Sequence, residues 1–190
     1  HPSLLENGLM IDTTLGAGGH SALALEKYKT LKVVGIDQDP IAREAAKQNL
    51  LTYKSRLTII GKNFADYRPN QKAIFVLADL GVSSPQLDFS ERGFSFKNNG
   101  AIDMRMNQSK GITAEELIDN CNEEELANII YEFGEERLSR RIAKTIKSHI
   151  NEKGHYSGTK ELADSIFKCY PKKIRYGRIH PATRTFQALR

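Results

Sequence analysis

Residues 8–20 read Gly8-Leu-Met-Ile-Asp12-Thr-Thr-Leu-Gly16-Ala-Gly18-Gly19-His20. A short apolar run ends on an acid, a glycine-rich turn follows, and a helical pattern starts near Ser21 and runs to Tyr28. This is a strand, a turn and a helix. Glycine lets a backbone bend sharply and come close to a ligand, and the helix start adds N–H groups without intrahelical partners. The spacing is neither Gly-x-Gly-x-x-Gly nor Gly-Lys-Ser/Thr, which argues against a dinucleotide fingerprint and a P-loop.

The pattern repeats outward. Residues 31–36 form a second strand, closed by Asp37-Gln-Asp-Pro40, and Pro40 suits the first turn of a helix running to about Leu50. Leu57–Ile60 is a third strand. Residues 73–80 are almost continuously apolar and read as a fourth, buried on both faces. Strands alternating with helices predict a parallel α/β sheet. After Leu87 the reading changes. Residues 88–110 predict a long ordered loop. Thr113-Ala-Glu-Glu116 and Asn122-Glu-Glu-Glu125 are capping boxes. Leu138, Ile142, Ile146 and Ile150 form one apolar stripe on a basic helix. Thr159 opens a further helix with Leu162, Ile166 and Phe167 inward, and Pro171 ends it.

Composition sets the outer limits. With 190 residues, 39% hydrophobic and 27% charged, and a mean hydropathy of −0.47, the chain has the make-up of a core-forming domain carrying an insertion. No apolar run nears the roughly 18 residues that a membrane-crossing helix needs. Cys121 and Cys169 lack metal-ligand spacing and read as buried free thiols in a reducing compartment. No targeting pattern precedes the first motif. His1 reads as a trimmed start and Arg190 as a cut end. The expected location is the cytoplasm, or an organelle in a eukaryote.

The net charge of +5 is unevenly spread: +3 over residues 1–110, −9 over 111–136 and +11 over 137–190. A basic half of this density points to a polyanion, most simply nucleic acid. The alternative is that the acidic and basic stretches pair with one another.

Three further motifs follow strand ends. Asp37 stands where an acid accepts both hydroxyls of an adenosine ribose; its other reading is a helix cap, for which Asp39 is better placed. Phe64 in Gly61-Lys-Asn-Phe64 suits packing against adenine, or serves as core. Asp79-Leu-Gly-Val-Ser-Ser-Pro-Gln86 places an acid, then a tight polar loop, at the carboxyl end of the fourth strand. A carboxylate buried there is costly unless it has a task or a partner.

Taken in order, DTTLGAGGHS (12–21), GIDQDP (35–40), ADLGVSSPQLD (78–88), ERGFSF (91–96), DMRM (103–106), FGEERLSRRIA (133–143), TKELA (159–163) and HPATRTFQALR (180–190) closely resemble the RsmH/MraW family of ribosomal RNA methyltransferases. The resemblance covers essentially the whole chain. It implies a Rossmann-like methyltransferase sheet, residues 1–92 and 180–190, with a mainly helical insertion over 93–179 that helps hold RNA. It implies transfer of a methyl group from S-adenosylmethionine to the exocyclic N4 of a cytosine in the decoding region of small-subunit rRNA. The partner is that RNA or the small ribosomal subunit, with no membrane and no metal. By position, Gly18, Gly19 and His20 match the family's methionine- and ribose-side loop, Asp37 its ribose acid, Phe64 its adenine neighbour, and Asp79 and Gln86 further cofactor contacts. Asp79 is also the candidate catalytic group. The family continues past the last motif with more sheet, so a sheet of four strands is an incomplete one. The rivals are a nicotinamide-dependent oxidoreductase, which would want the missing three-glycine fingerprint, and an RNA-binding module without turnover.

Overall fold

The computed structural model describes residues 7–190; the first six residues of the expected cofactor domain lie outside that range. The chain divides into two compact units, one up to Ser83 and the other Ser84–Arg190.

In the first unit, β1 (Leu9–Asp12), α1 (Gly19–Lys27), β2 (Lys32–Ile36), α2 (Pro40–Asn49), β3 (Leu57–Ile60) and β4 (Phe75–Leu77) follow one another. All pairings are parallel and the order is β3-β2-β1-β4. Side chains alternate across the sheet with period two. Met10 and Val33 pack with Leu25 and Leu31 on one side. Leu15, Ala46 and Leu50 continue that layer toward α2. On the other side Leu9, Ile11 and Ile36 pack with Ile60, Tyr67 and Ala73. Asp39 caps α2, its carboxylate accepting from Ile41 N at 3.0 Å, with Pro40 in the first turn. The fourth strand departs from expectation. It spans three residues, and Ile74, Phe75, Val76 and Leu80 are exposed. A continuous apolar run predicts burial on both faces only when a strand has neighbours on both sides, and among the described residues of this 190-residue chain β4 pairs with β1 only.

The second unit begins with α3 (Ser84–Asp88) and continues through α4 (Ala114–Asn120), α5 (Glu123–Gly134), α6 (Ser139–Lys153), α7 (Thr159–Cys169) and α8 (Ala182–Leu189). Both capping boxes are formed, Thr113 with Glu116 and Asn122 with Glu125. Ile142 and Ile146 of the basic helix are fully buried. The loop between α3 and α4 is tightly packed. A Cβ at Gly100 would stand 1.8 Å from Ser90 O, and one at Gly93 2.3 Å from Ala101 O. Asp103 is clamped by Arg105, with Nε to Oδ1 at 2.9 Å and Nη2 to Oδ2 at 2.8 Å. Within the last motif, α8 (Ala182–Leu189) packs against α5. Its apolar side, with Ala182, Phe186 and Leu189, is buried, and it lies so close to α5 that a Cβ on Gly134 would stand 2.5 Å from Arg184 O. Of the thiols, Cys169 is buried and Cys121 half-buried, and neither forms a disulfide. Among the described residues no helix is long and apolar enough to cross a membrane.

Candidate active site at the strand ends

The carboxyl ends of β1, β2, β3 and β4 carry the residues singled out from the sequence. Open α/β sheets bind ligands there. Asp12, the last residue of β1, is buried and holds the turn from inside. Its carboxylate accepts from Ser21 Oγ at 2.7 Å and from Thr14 N at 3.2 Å. Burial pushes its pKa up; the hydrogen bonds from Ser21 and Thr14 and the charge of His20 offset part of that rise, and Asp37 adds to it. The next two residues tie the turn to the neighbouring strand. Thr13 donates through both N and Oγ1 to Leu77 O, and Thr14 Oγ1 accepts from Asp79 N at 2.7 Å.

Gly16 and Gly18 both have positive φ, at 54° and 88°. At Gly18 a Cβ would also strike Leu50 Cδ1 at 2.5 Å. Glycine there is a requirement of backbone and packing together. Gly19 differs: a Cβ would meet nothing within 4 Å. It opens α1, whose first turn has no side-chain cap. Open space beside uncapped helix N–H groups suits an anionic group.

Asp37 follows β2 and is half-buried. One carboxylate oxygen accepts from Gly16 N and the other from Asp39 N, each at 2.8 Å. A carboxylate has about four acceptor positions, so Asp37 fixes the glycine loop and keeps capacity for a ligand. The cap on α2 is Asp39, which leaves Asp37 without that duty. Phe64 opens a short 3-10 turn after β3, capped by Asn63. It is 46% exposed, which sets aside the reading as core.

Asp79 sits beside His20, with Oδ2 3.3 Å from Nε2. Both side chains are exposed, 69% and 61%. The carboxylate expected to be buried is exposed in this 190-residue chain: β4 stops at Leu77 and, among the described residues, pairs with β1 only. Gln86 belongs to the second unit, where it is buried and its amide contacts Met106 Sδ at 3.3 Å. The structure thus groups Gly18, Gly19, His20, Asp37, Phe64 and Asp79 within one unit. Sequence reasoning gave no role to Asp12, Thr13 and Thr14. The signal was an acid and two hydroxyls directly after a buried strand.

Comparison with known proteins shows the family. Residues 3–190 match the MraW methylase family. The chain is 58% identical over 187 residues to "Ribosomal RNA small subunit methyltransferase H" of Prochlorococcus marinus (strain MIT 9303), covering 98% of this chain and 60% of the relative. It is 59% identical over 185 residues to the protein of the same name from Synechococcus sp. (strain CC9605), covering 97% and 63%. The chain therefore spans about three-fifths of the length of the curated relatives it matches. With a parallel sheet, a glycine loop fastened by Asp37 and a match over nearly all its residues, the chain belongs to the MraW methylase family.

Proposed function

We propose that the protein transfers a methyl group from S-adenosylmethionine to the exocyclic N4 of a cytosine in the decoding region of small-subunit rRNA, in the cytoplasm. The observation that carries this reading is Asp37. Its carboxylate joins the glycine loop to the end of β2 and has acceptor positions to spare. The open space at Gly19, the uncapped start of α1 and the exposed ring of Phe64 fit the rest of a nucleoside bearing a carboxylate.

When bound, S-adenosylmethionine supplies an electrophilic sulfonium methyl. Asp37 accepts the ribose hydroxyls. Gly18, Gly19 and His20 take the methionine side. Phe64 packs against adenine, and Gln86 adds a further contact. The cytosine amine is a poor nucleophile because its lone pair is delocalised into the ring. Asp79 serves in one of two ways. It accepts from the cofactor's ammonium group, or it accepts from N4–H and so eases pyramidalisation of the amine, the N4 proton leaving to it or to water as the methyl–sulfur bond gives way to the methyl–nitrogen bond. Holding the amine in line contributes much of the rate. The target base must leave its stack to reach the strand ends, and the basic elements within 93–179 help hold the RNA.

Calorimetry on the 190-residue chain tests the first half of this reading. S-adenosylmethionine is expected to bind and NAD is not. Binding of NAD instead would return the chain to the oxidoreductases; binding of neither would leave an RNA-binding module.

A further inference from the structure

The junction of α5 and α6 encloses an open cavity of about 360 Å³ that the methyl-transfer site does not use. That volume lies in the range of ligand pockets. Asn128 and Tyr131, one turn apart on α5, form one wall, and Arg137, Leu138, Arg140 and Arg141 form the other. Glu135, in a left-handed conformation with φ 51°, turns the chain between them.

The three arginines are exposed, and among the described residues none has a carboxylate within 4 Å. Four of the nine acids in the stretch before them are engaged elsewhere. Glu116 and Glu125 close their capping boxes. Asp119 lies 3.0 Å from His155 Nδ1. Glu136 is buried and accepts from Leu138 N and the Tyr170 hydroxyl. Tyr131 is 60% exposed. Guanidinium groups bind phosphate oxygens in a fork. An exposed aromatic face stacks any base. An acidic peptide would satisfy the arginines and leave Tyr131 without a use.

We propose that this cavity holds one unpaired nucleotide of the RNA substrate, other than the methylated one, with its base on Tyr131 and its phosphate among Arg137, Arg140 and Arg141. The inference rests on the reading of the protein as an RNA methyltransferase.

The test uses a short single-stranded oligonucleotide copied from small-subunit rRNA, with 4-thiouridine in place of uridine. Cross-links are expected on the peptide containing Tyr131. In fluorescence anisotropy, Tyr131→Ala should weaken binding about tenfold with an unchanged salt slope, while Tyr131→Phe binds like the parent. The triple change Arg137→Gln, Arg140→Gln, Arg141→Gln should flatten the salt slope by up to about 2. Circular dichroism confirms that each variant is folded. Parent-like binding by both Tyr131→Ala and the triple variant overturns the proposal. So does equal affinity for duplex RNA, or displacement of the oligonucleotide by polyglutamate with the same dependence on Tyr131. In a protein of the relatives' full length, methylation with an unchanged KM for RNA in Tyr131→Ala would sink the nucleotide pocket alone. Absence of methylation by the parent would sink the proposed function instead.

Discussion

Asp37 fixes the glycine loop, and on the proposed reading it also holds the cofactor's ribose, so its removal should show in two measurements. Asp37→Ala should weaken S-adenosylmethionine binding by roughly 1.5–3 kcal/mol, the range for a hydrogen bond to a charged group. It should also lower stability by about 1 kcal/mol or more, because Gly16 N and Asp39 N lose their acceptors. Calorimetry and urea midpoints measure the two separately; unchanged cofactor affinity would remove Asp37 from the site. Asp79 gives the contrasting case. Its exposed contact with His20 is worth little, so Asp79→Asn should leave the urea midpoint nearly unchanged. If Asp79 meets the cofactor's ammonium, turnover recovers at saturating cofactor. If it polarises the cytosine amine, binding holds and turnover falls about tenfold or more. Parent-like binding and turnover would defeat both roles. Asp12 carries a pH signature. Burial raises its pKa in the folded protein, so the fold binds this proton more tightly than the unfolded chain does. Its contribution to stability is therefore full below the unfolded pKa and is lost as pH rises through the folded one. Urea unfolding of the parent and Asp12→Asn, followed from pH 3 to pH 7 (values set about the ordinary carboxylate range), should show the parent losing ground to the variant as pH rises. A constant difference would contradict this.

At the scale of elements, the proposed reading divides the charges of the basic helix α6 between fold and RNA. Lys147 donates to Ile118 O, and to Asp119 O at 3.3 Å, at the carboxyl end of α4. Its cation thus caps another helix. Lys147→Ala should cost about 1 kcal/mol of stability and leave RNA affinity near the parent's. Arg140→Glu, Arg141→Glu and Lys144→Glu together should do the reverse, lowering RNA affinity and the salt slope while sparing the fold. Urea unfolding and anisotropy distinguish the two sets, and the opposite assignment of effects would refute the division. In the loop before α4, Gly100→Ala should cost about 1–3 kcal/mol, because the added carbon would overlap the backbone of Ser90. Local rules made much of this readable in advance. Thr113 with Glu116, Asn122 with Glu125, and Asp39 before Pro40 are caps set within four residues of chain, and they stand as expected. What resists reading is any fact set by distant partners. Nothing near Lys147 announces α4. Nothing near Asp12 announces that Ser21 will fill its second oxygen.

For the whole molecule, the limits of the sequence reading have the same cause. Residues 73–80 are apolar enough for a central strand, but centrality depends on a neighbour beyond β4, and among the described residues of this 190-residue chain β4 pairs with β1 only. Residues 180–190 carry the last motif, and α8 within them packs against α5.

The central claim is a chemical one, that a cytosine amine receives the methyl group. Its most direct test is nucleoside mass spectrometry of small-subunit rRNA after incubation with isotope-labelled S-adenosylmethionine and a protein of the relatives' full length carrying these 190 residues. The account predicts labelled N4-methylcytidine, lost in Asp37→Ala at limiting cofactor. Label on a different base or atom, or none at all with cofactor and RNA both bound, would contradict it.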